Sequence, residues 1–182
     1  MSYDYCEVLR DSLLFYEAQR SGVMTDETKS KLHWKKDSAL NDQGENGEDL
    51  TGGYYDAGDH IKAGLPMAYT VTVVAWGLLE YPDAYEACGQ TENVKDMIRW
   101  GTDYFLKIYP EKGVLYYQVG DVETDHSAWC RAQDMKMSRP ALKANSDHPG
   151  CDVAAETAAA LAAASIIFQE GSVSFYSCVS LD

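Results

Sequence analysis

Apolar positions recur at helical spacing in four stretches of the chain, and long polar segments separate them. The first stretch spans about residues 3–20, where Cys6, Leu9, Leu13 and Tyr16 share one side. Glu7, Arg10, Asp11, Glu17 and Arg20 occupy the others, which makes an amphipathic helix with Gly22 as its stop signal. Pro66 opens a second helix that runs to about Glu80 and is closed by Tyr81-Pro82. Its middle, Val71 through Leu79, is almost entirely apolar, so burial on most sides is expected. Thr91 caps a third helix that ends before Pro110, with a stripe of Val94, Met97, Ile98, Gly101, Tyr104, Phe105 and Ile108. The fourth runs from a cap at Asp152 to Phe168, and eight of the eleven residues Ala154 to Ala164 are alanine. Alanine is the strongest helix former, and its small side chain lets neighbouring helices approach closely.

Between the first two helices lies a polar stretch, about residues 21–65, that keeps no period and carries seven glycines among many Asn and Asp. A loop of that length inside a compact domain is usually either functional or disordered. Trp34, Tyr54 and Tyr55 within it predict an ordered loop packed on something. Gly113 to Val119 suits a short strand or hairpin. No glycine-rich βαβ fingerprint and no short solenoid repeat is present, so the predicted class is all-α.

The 182 residues are 46% apolar and 24% charged, the composition of one globular domain with a real core. A net charge of −14 sets the chain against nucleic acid and against anionic membrane surfaces, both of which recruit Lys and Arg. A neutral polysaccharide meets no such penalty, and thirteen tyrosines offer flat faces with polar tips that suit sugar rings. No segment is long and apolar enough to cross a bilayer, and the N-terminal residues carry neither the basic nor the apolar region of a secretory leader. Cys6, Cys88, Cys130, Cys151 and Cys178 are widely spaced and odd in number, which favours buried free thiols over a disulfide framework. His33, His60, His126 and His148 form no His-Glu-x-x-His pattern, so a zinc hydrolase is not expected.

The chemistry concentrates in Asp56-Ala57-Gly58-Asp59-His60, inside the glycine-rich loop. Two carboxylates three residues apart can converge on one water without a helix, because the intervening glycine permits a sharp backbone path. One carboxylate then accepts the proton while the other orients the water, as general-base catalysis requires. The same four residues also suit a plain Asx turn with Gly58 in the left-handed region, or a divalent cation held by both carboxylates.

The longer run Asp49-Leu50-Thr51-Gly52-Gly53-Tyr54-Tyr55-Asp56-Ala57-Gly58-Asp59-His60-Ile61-Lys62 resembles the N-terminal signature of glycoside hydrolase family 9. The resemblance extends back through Trp34 to Asp42 and forward through Gly64 to Ala68. Val119-Gly120-Asp121, Asp125-His126, Trp129, Arg139-Pro140 and the alanine helix are similar to later family segments, so about residues 3–170 are covered. The family implies an (α/α)6 barrel, here in its N-terminal part, and an endo-β-1,4-glucanase that acts on cellulose or related β-1,4-glucans with inversion. By that resemblance Asp59 is the catalytic base and Asp56 its partner on the attacking water. His126, Trp129 and Arg131 would lie in the cleft against glucose units, with Tyr55 beside them and Tyr54 shaping the loop. No cofactor and no metal are implied within this segment, and the family suggests a secreted protein. Residues 171–182 depart from the family's continuation, and Cys130, Ala132 and Gln133 replace common cleft residues. The family's general acid, a glutamate, lies in a later part of its domain, so four helices would leave barrel faces without partners and the site without its acid. A non-catalytic carbohydrate-binding remnant of the same fold is the alternative.

Overall fold

The computed structural model describes residues 3–169. The four expected helices are its longest elements: α1 (Tyr5–Ala18), α3 (Gly64–Glu80), α5 (Thr91–Lys107) and α7 (Cys151–Ile167). Three short helices lie between them, α2 (Asp26–Lys31), α4 (Pro82–Ala87) and α6 (Val122–His126), and a 3₁₀ turn spans Ala132–Asp134. Among the described residues no helix is long and apolar enough to cross a membrane.

Helix starts follow local chemistry, with some shifts from the sequence expectation. Asp4 caps α1 by accepting from the Cys6 and Glu7 N–H groups. Helix α3 begins two residues before Pro66, because Ala63 leaves a strand in an extended conformation directly into the helix. Pro66 then sits in the first turn, where its missing N–H costs no helical hydrogen bond. Thr91 is the first residue of α5 and not its cap, which is Gln90. Asp152 likewise lies one residue inside α7, whose cap position is Gly150.

Helix α3 packs along α7 and α5, and α5 touches α1 and α7. The shared core includes Met67, Val71, Ala75, Val94, Ile98, Phe105, Ala160 and Ala164. The crossing of α3 and α5 is close: a Cβ at Gly101 would lie 2.6 Å from Val71 Cγ2. The middle of α3 is not buried on most sides. Val71, Ala75 and Leu78 face the core, whereas Val73, Trp76 and Leu79 lie on its open face, with Tyr69 nearby. The sequence shows apolarity all round the helix, and only three-dimensional packing shows which face lacks a neighbour.

The segment expected as a strand or hairpin is β2 (Leu115–Val119), the centre of a three-stranded antiparallel sheet. It pairs with β1 (Lys62–Ala63) through Lys62↔Val119, and with β3 (Ala141–Ala144) through Val119↔Ala141 and Leu115↔Ala144, with a bulge between Tyr116 and Gln118. This small sheet carries the end of the long polar loop onto the helices. That loop is ordered, as expected, and contains α2, capped by Thr25. Bridges at Arg20↔Tyr54, Gly22↔Ser38 and Gln43↔Asp49 fold it back on itself.

The cysteines differ from expectation. Cys6 and Cys88 form a disulfide, while Cys130 and Cys151 are free and exposed. The bonded pair is 82 residues apart, a contact between the first turn of α1 and the end of α4 that spacing does not reveal. Cys178 and residues 171–182, where a departure from the family was expected, lie outside the described residues.

Candidate active site

The Asp56–Asp59 segment is a tight turn that closes on itself. The Asp56 N–H donates to the Ile61 carbonyl at 2.8 Å, and the Asp59 N–H donates to the Asp56 carbonyl at 3.1 Å. The residue with positive φ is Ala57 (54°), not Gly58 as an Asx turn suggests. An alanine in the left-handed region costs on the order of 1 kcal/mol, so the surrounding structure holds the turn in place.

Two sets of contacts do so. On one side the turn's stem lies along the end of α1 and against α5. The Tyr55 N–H donates to Gln19 O, the Ser21 N–H to Gly53 O, and the Trp100 Nε1–H to Gly53 O, all at 2.9 Å. The Tyr54 hydroxyl donates to the Met97 carbonyl at 2.8 Å. Gly53 is required there: its φ is +73°, and a Cβ would meet the Tyr104 ring at 2.7 Å.

Beneath the turn lies a buried ionic hub. Arg139 grips Asp42 with two nitrogens, Nε to Oδ1 at 2.6 Å and Nη2 to Oδ2 at 3.0 Å. Its Nη1 donates to the His60 carbonyl at 2.6 Å. Lys62 Nζ meets Asp42 Oδ2 at 2.7 Å and donates to the Leu50 and Gly52 carbonyls. Burial pulls the Lys62 ammonium down to about 8, against the opposing pull of Asp42. Residues 42, 50–52 and 60–62 are thereby tied to one point below the carboxylates.

Asp59 is half-buried and faces α6, where His126 Nε2 lies 3.2 Å from its Oδ2. This contact raises the His126 pKa above its ordinary value, through the hydrogen bond and then the charge of Asp59. Asp56 is exposed and lines a groove with Phe15, Tyr16, Gln19, Met67 and Thr70. The next residue before His126, Asp125, is buried and accepts from the His60 N–H at 3.1 Å. Asp59, Asp125 and His126 each bring one donor atom within 4.8 Å of the others, a spacing that a cation could use. The contacts made within this set and with His60 give it a second description, a hydrogen-bonded clamp.

The other predicted site residues take different places. Trp129 stands fully exposed in the loop after α6, its indole open on every side. Arg131 is also exposed, and its Nε donates to Asp134 Oδ2 at 2.7 Å. Tyr55 is buried: its hydroxyl donates to Ser38 Oγ at 2.8 Å and its ring meets His60 edge-on. Its neighbour Tyr54 is buried as well. Asp59 and His126 are therefore brought into contact, with Asp56 on the same turn. Sequence reasoning quoted Asp42, Lys62, Asp125 and Arg139 but gave them no role. They are scattered over short elements and loops far apart in the chain and carry no periodic signal, although charged residues so rarely buried are recognisable once the fold is known.

Comparison with known proteins identifies the family and the fold. The model of glycosyl hydrolase family 9 matches residues 5–181, and the chain belongs to that family. Endoglucanase 15 of Oryza sativa subsp. japonica is 53% identical over 167 residues, covering 92% of this chain and 26% of that protein. Endoglucanase A of Bacillus pumilus is 52% identical over 174 residues, 96% of this chain and 26% of its own length. Among solved structures, the endoglucanase of the termite Nasutitermes takasagoensis is 52% identical with a TM-score of 0.93, over 98% of this chain and 41% of that one. The cellulase Cel9M of C. cellulolyticum, solved in complex with cellobiose, is 34% identical with a TM-score of 0.91, over 98% of this chain and 42% of that one. The chain thus corresponds to an N-terminal portion of a family catalytic domain and to part of its (α/α)6 barrel. It spans about a quarter of the length of these curated relatives.

Proposed function

We propose that this chain supplies the water-activating side of an inverting β-1,4-glucanase site that acts on cellulose or related β-1,4-glucans. The contact between Asp59 and His126, on a turn anchored from below by Arg139, is the observation that supports it most. In this reading Asp59 takes a proton from the attacking water as its oxygen bonds to the anomeric carbon, while Asp56 holds that water. The glycosidic C–O bond breaks on the opposite side, and a general acid protonates the leaving oxygen. Inversion places acid and base roughly 6.5–9.5 Å apart, with room for the water between them. That acid is a carboxyl from chain beyond the described residues, and the 182-residue chain by itself does not turn over substrate.

His126 donates to Asp59 or to a sugar hydroxyl, and Trp129 stacks on a glucose ring. Arg131 contributes at the edge of the cleft, and buried Tyr55 shapes its floor. The open indole of Trp129 also suits the second reading, a carbohydrate-binding remnant without catalysis. Cellobiose bound to Cel9M supports a glucan as ligand in either case. The Cys6–Cys88 disulfide supports an oxidising, extracellular setting.

Titration of the chain with cellotetraose tests this. The expected result is measurable binding without hydrolysis, weakened by Trp129→Ala by about 1–3 kcal/mol, the scale of one lost aromatic stack. Hydrolysis that disappears in Asp59→Asn would show that the chain is catalytically sufficient. Absence of any binding would count against both readings.

A further inference from the structure

Asp42 and Asp125 are the two carboxylates buried among the described residues. Asp42 sits between two cations, Arg139 and Lys62. Among the described residues no lysine or arginine forms an ion pair with Asp125; what it meets is His60, through the backbone N–H at 3.1 Å and Nδ1 at 3.5 Å. Burying a carboxylate without a cationic partner is costly, so the bond it makes is the reason to look for its use.

Its place suggests that use. Consecutive residues Asp125 and His126 on α6 meet consecutive residues His60 and Asp59 on the turn. The buried pair, Asp125 with the His60 N–H, is the inner contact, and the exposed pair, His126 with Asp59, is the outer one. The turn places Asp59 directly after Gly58, the residue with the most backbone freedom, so the orientation of Asp59 leans on what holds its other neighbour, His60. His60 is held at its carbonyl by Arg139 and at its N–H by Asp125, and the residue next to it is Asp59.

We propose that Asp125 is a positioning residue: by accepting from the His60 N–H it fixes the turn so that Asp59 stands against His126. This rests on the reading of Asp59 as the base, yet its geometry is testable without turnover. The charged groups that face His126 are Asp59, Asp125 and Glu123, of which Asp59 acts most strongly. Asparagine at 125 keeps an oxygen that can accept from the N–H, and alanine does not.

The test uses NMR of the 182-residue chain, following the His126 pKa and amide exchange at His60, with Ile98 in the α5 core as the reference for folding. In Asp125→Ala, His60 exchange is expected to quicken about tenfold, the scale of one lost hydrogen bond, and the His126 pKa to fall toward its ordinary value. Asp125→Asn is expected to keep His60 exchange close to the parent and to lower the His126 pKa only slightly, through loss of the smaller contribution from the charge of Asp125 itself. Asp59→Asn is expected to lower the His126 pKa and leave His60 exchange alone, which separates the outer contact from the inner one. The proposal is overturned if Asp125→Ala changes neither signal, or if Asp125→Asn is as severe as Asp125→Ala. It is also overturned if Asp125→Ala strips protection from Ile98, since Asp125 would then be a folding residue. None of these readouts depends on catalysis, so loss of the base assignment would leave this result standing, and the reverse holds too.

Discussion

Two lysines near the Asp56–Asp59 turn have a consequence that a sequence does not show. Lys62 and Lys35 are both buried, and burial lowers each ammonium from its ordinary 10.5 to about 8. Lys35 lies against the face of the Tyr55 ring, and Lys62 lies in the Asp42 hub. Between pH 8 and 10.5 the unfolded chain therefore holds more protons at these positions than the folded one. Stability rises with pH wherever the unfolded state binds more protons, so both groups weaken the fold at neutral pH and that cost is relieved above 8. Shifts of this size are on the order of a few kcal/mol together. Urea unfolding between pH 7.5 and 9.5 should show stability increasing, with a smaller rise in Lys35→Met. A flat or falling curve in the parent chain would contradict the burial of these charges. Buried Tyr54 and Tyr104, with phenols pushed up by burial, act in the opposite sense above about pH 10 and set the upper limit of that window.

At the scale of elements, the four long helices were legible because their apolar stripes are local properties. Val94, Met97, Ile98, Gly101, Tyr104 and Phe105 are all buried, as their spacing predicts. What escaped was non-local. The Cys6–Cys88 bond depends on where α1 meets α4, and the shift of the α3 start depends on β1 pairing with β2. The site was half legible: Asp56, Asp59 and His126 came from motif and family resemblance, while the Asp42–Lys62–Arg139 hub needed three loops to be brought together. Gly101 shows how packing can reverse a propensity. Alanine in place of a helical glycine ordinarily gains about 1 kcal/mol. Here the added Cβ collides with Val71 at the α3–α5 crossing, and overpacking of that kind costs about 1–3 kcal/mol. Gly101→Ala should thus lower stability in thermal unfolding, and a partner Val71→Ala should recover part of the loss relative to Val71→Ala alone. A raised melting temperature in Gly101→Ala would mean that the helices are farther apart than described.

Over the whole molecule, the chain matches an N-terminal portion of a larger family domain, and in the proposed reading it carries the turn that serves one side of the reaction. The open apolar face of α3, with Val73, Trp76 and Leu79, is the kind of surface that soluble chains usually cover. The strongly negative net charge favours solubility and leaves a neutral glucan as the partner with least electrostatic cost. The central claim is that Asp59 of this chain is the base of a glucanase. Its most direct test joins residues 1–169 to the part of the termite endoglucanase beyond the matched region, which the 52% identity and TM-score of 0.93 make a close structural fit. Carboxymethylcellulose hydrolysis by that chimera is then measured with and without Asp59→Asn. The account predicts turnover that falls by about 10²–10⁴-fold in the variant, the usual contribution of a general base, while cellotetraose affinity is kept. Normal turnover by the Asp59→Asn chimera would contradict it.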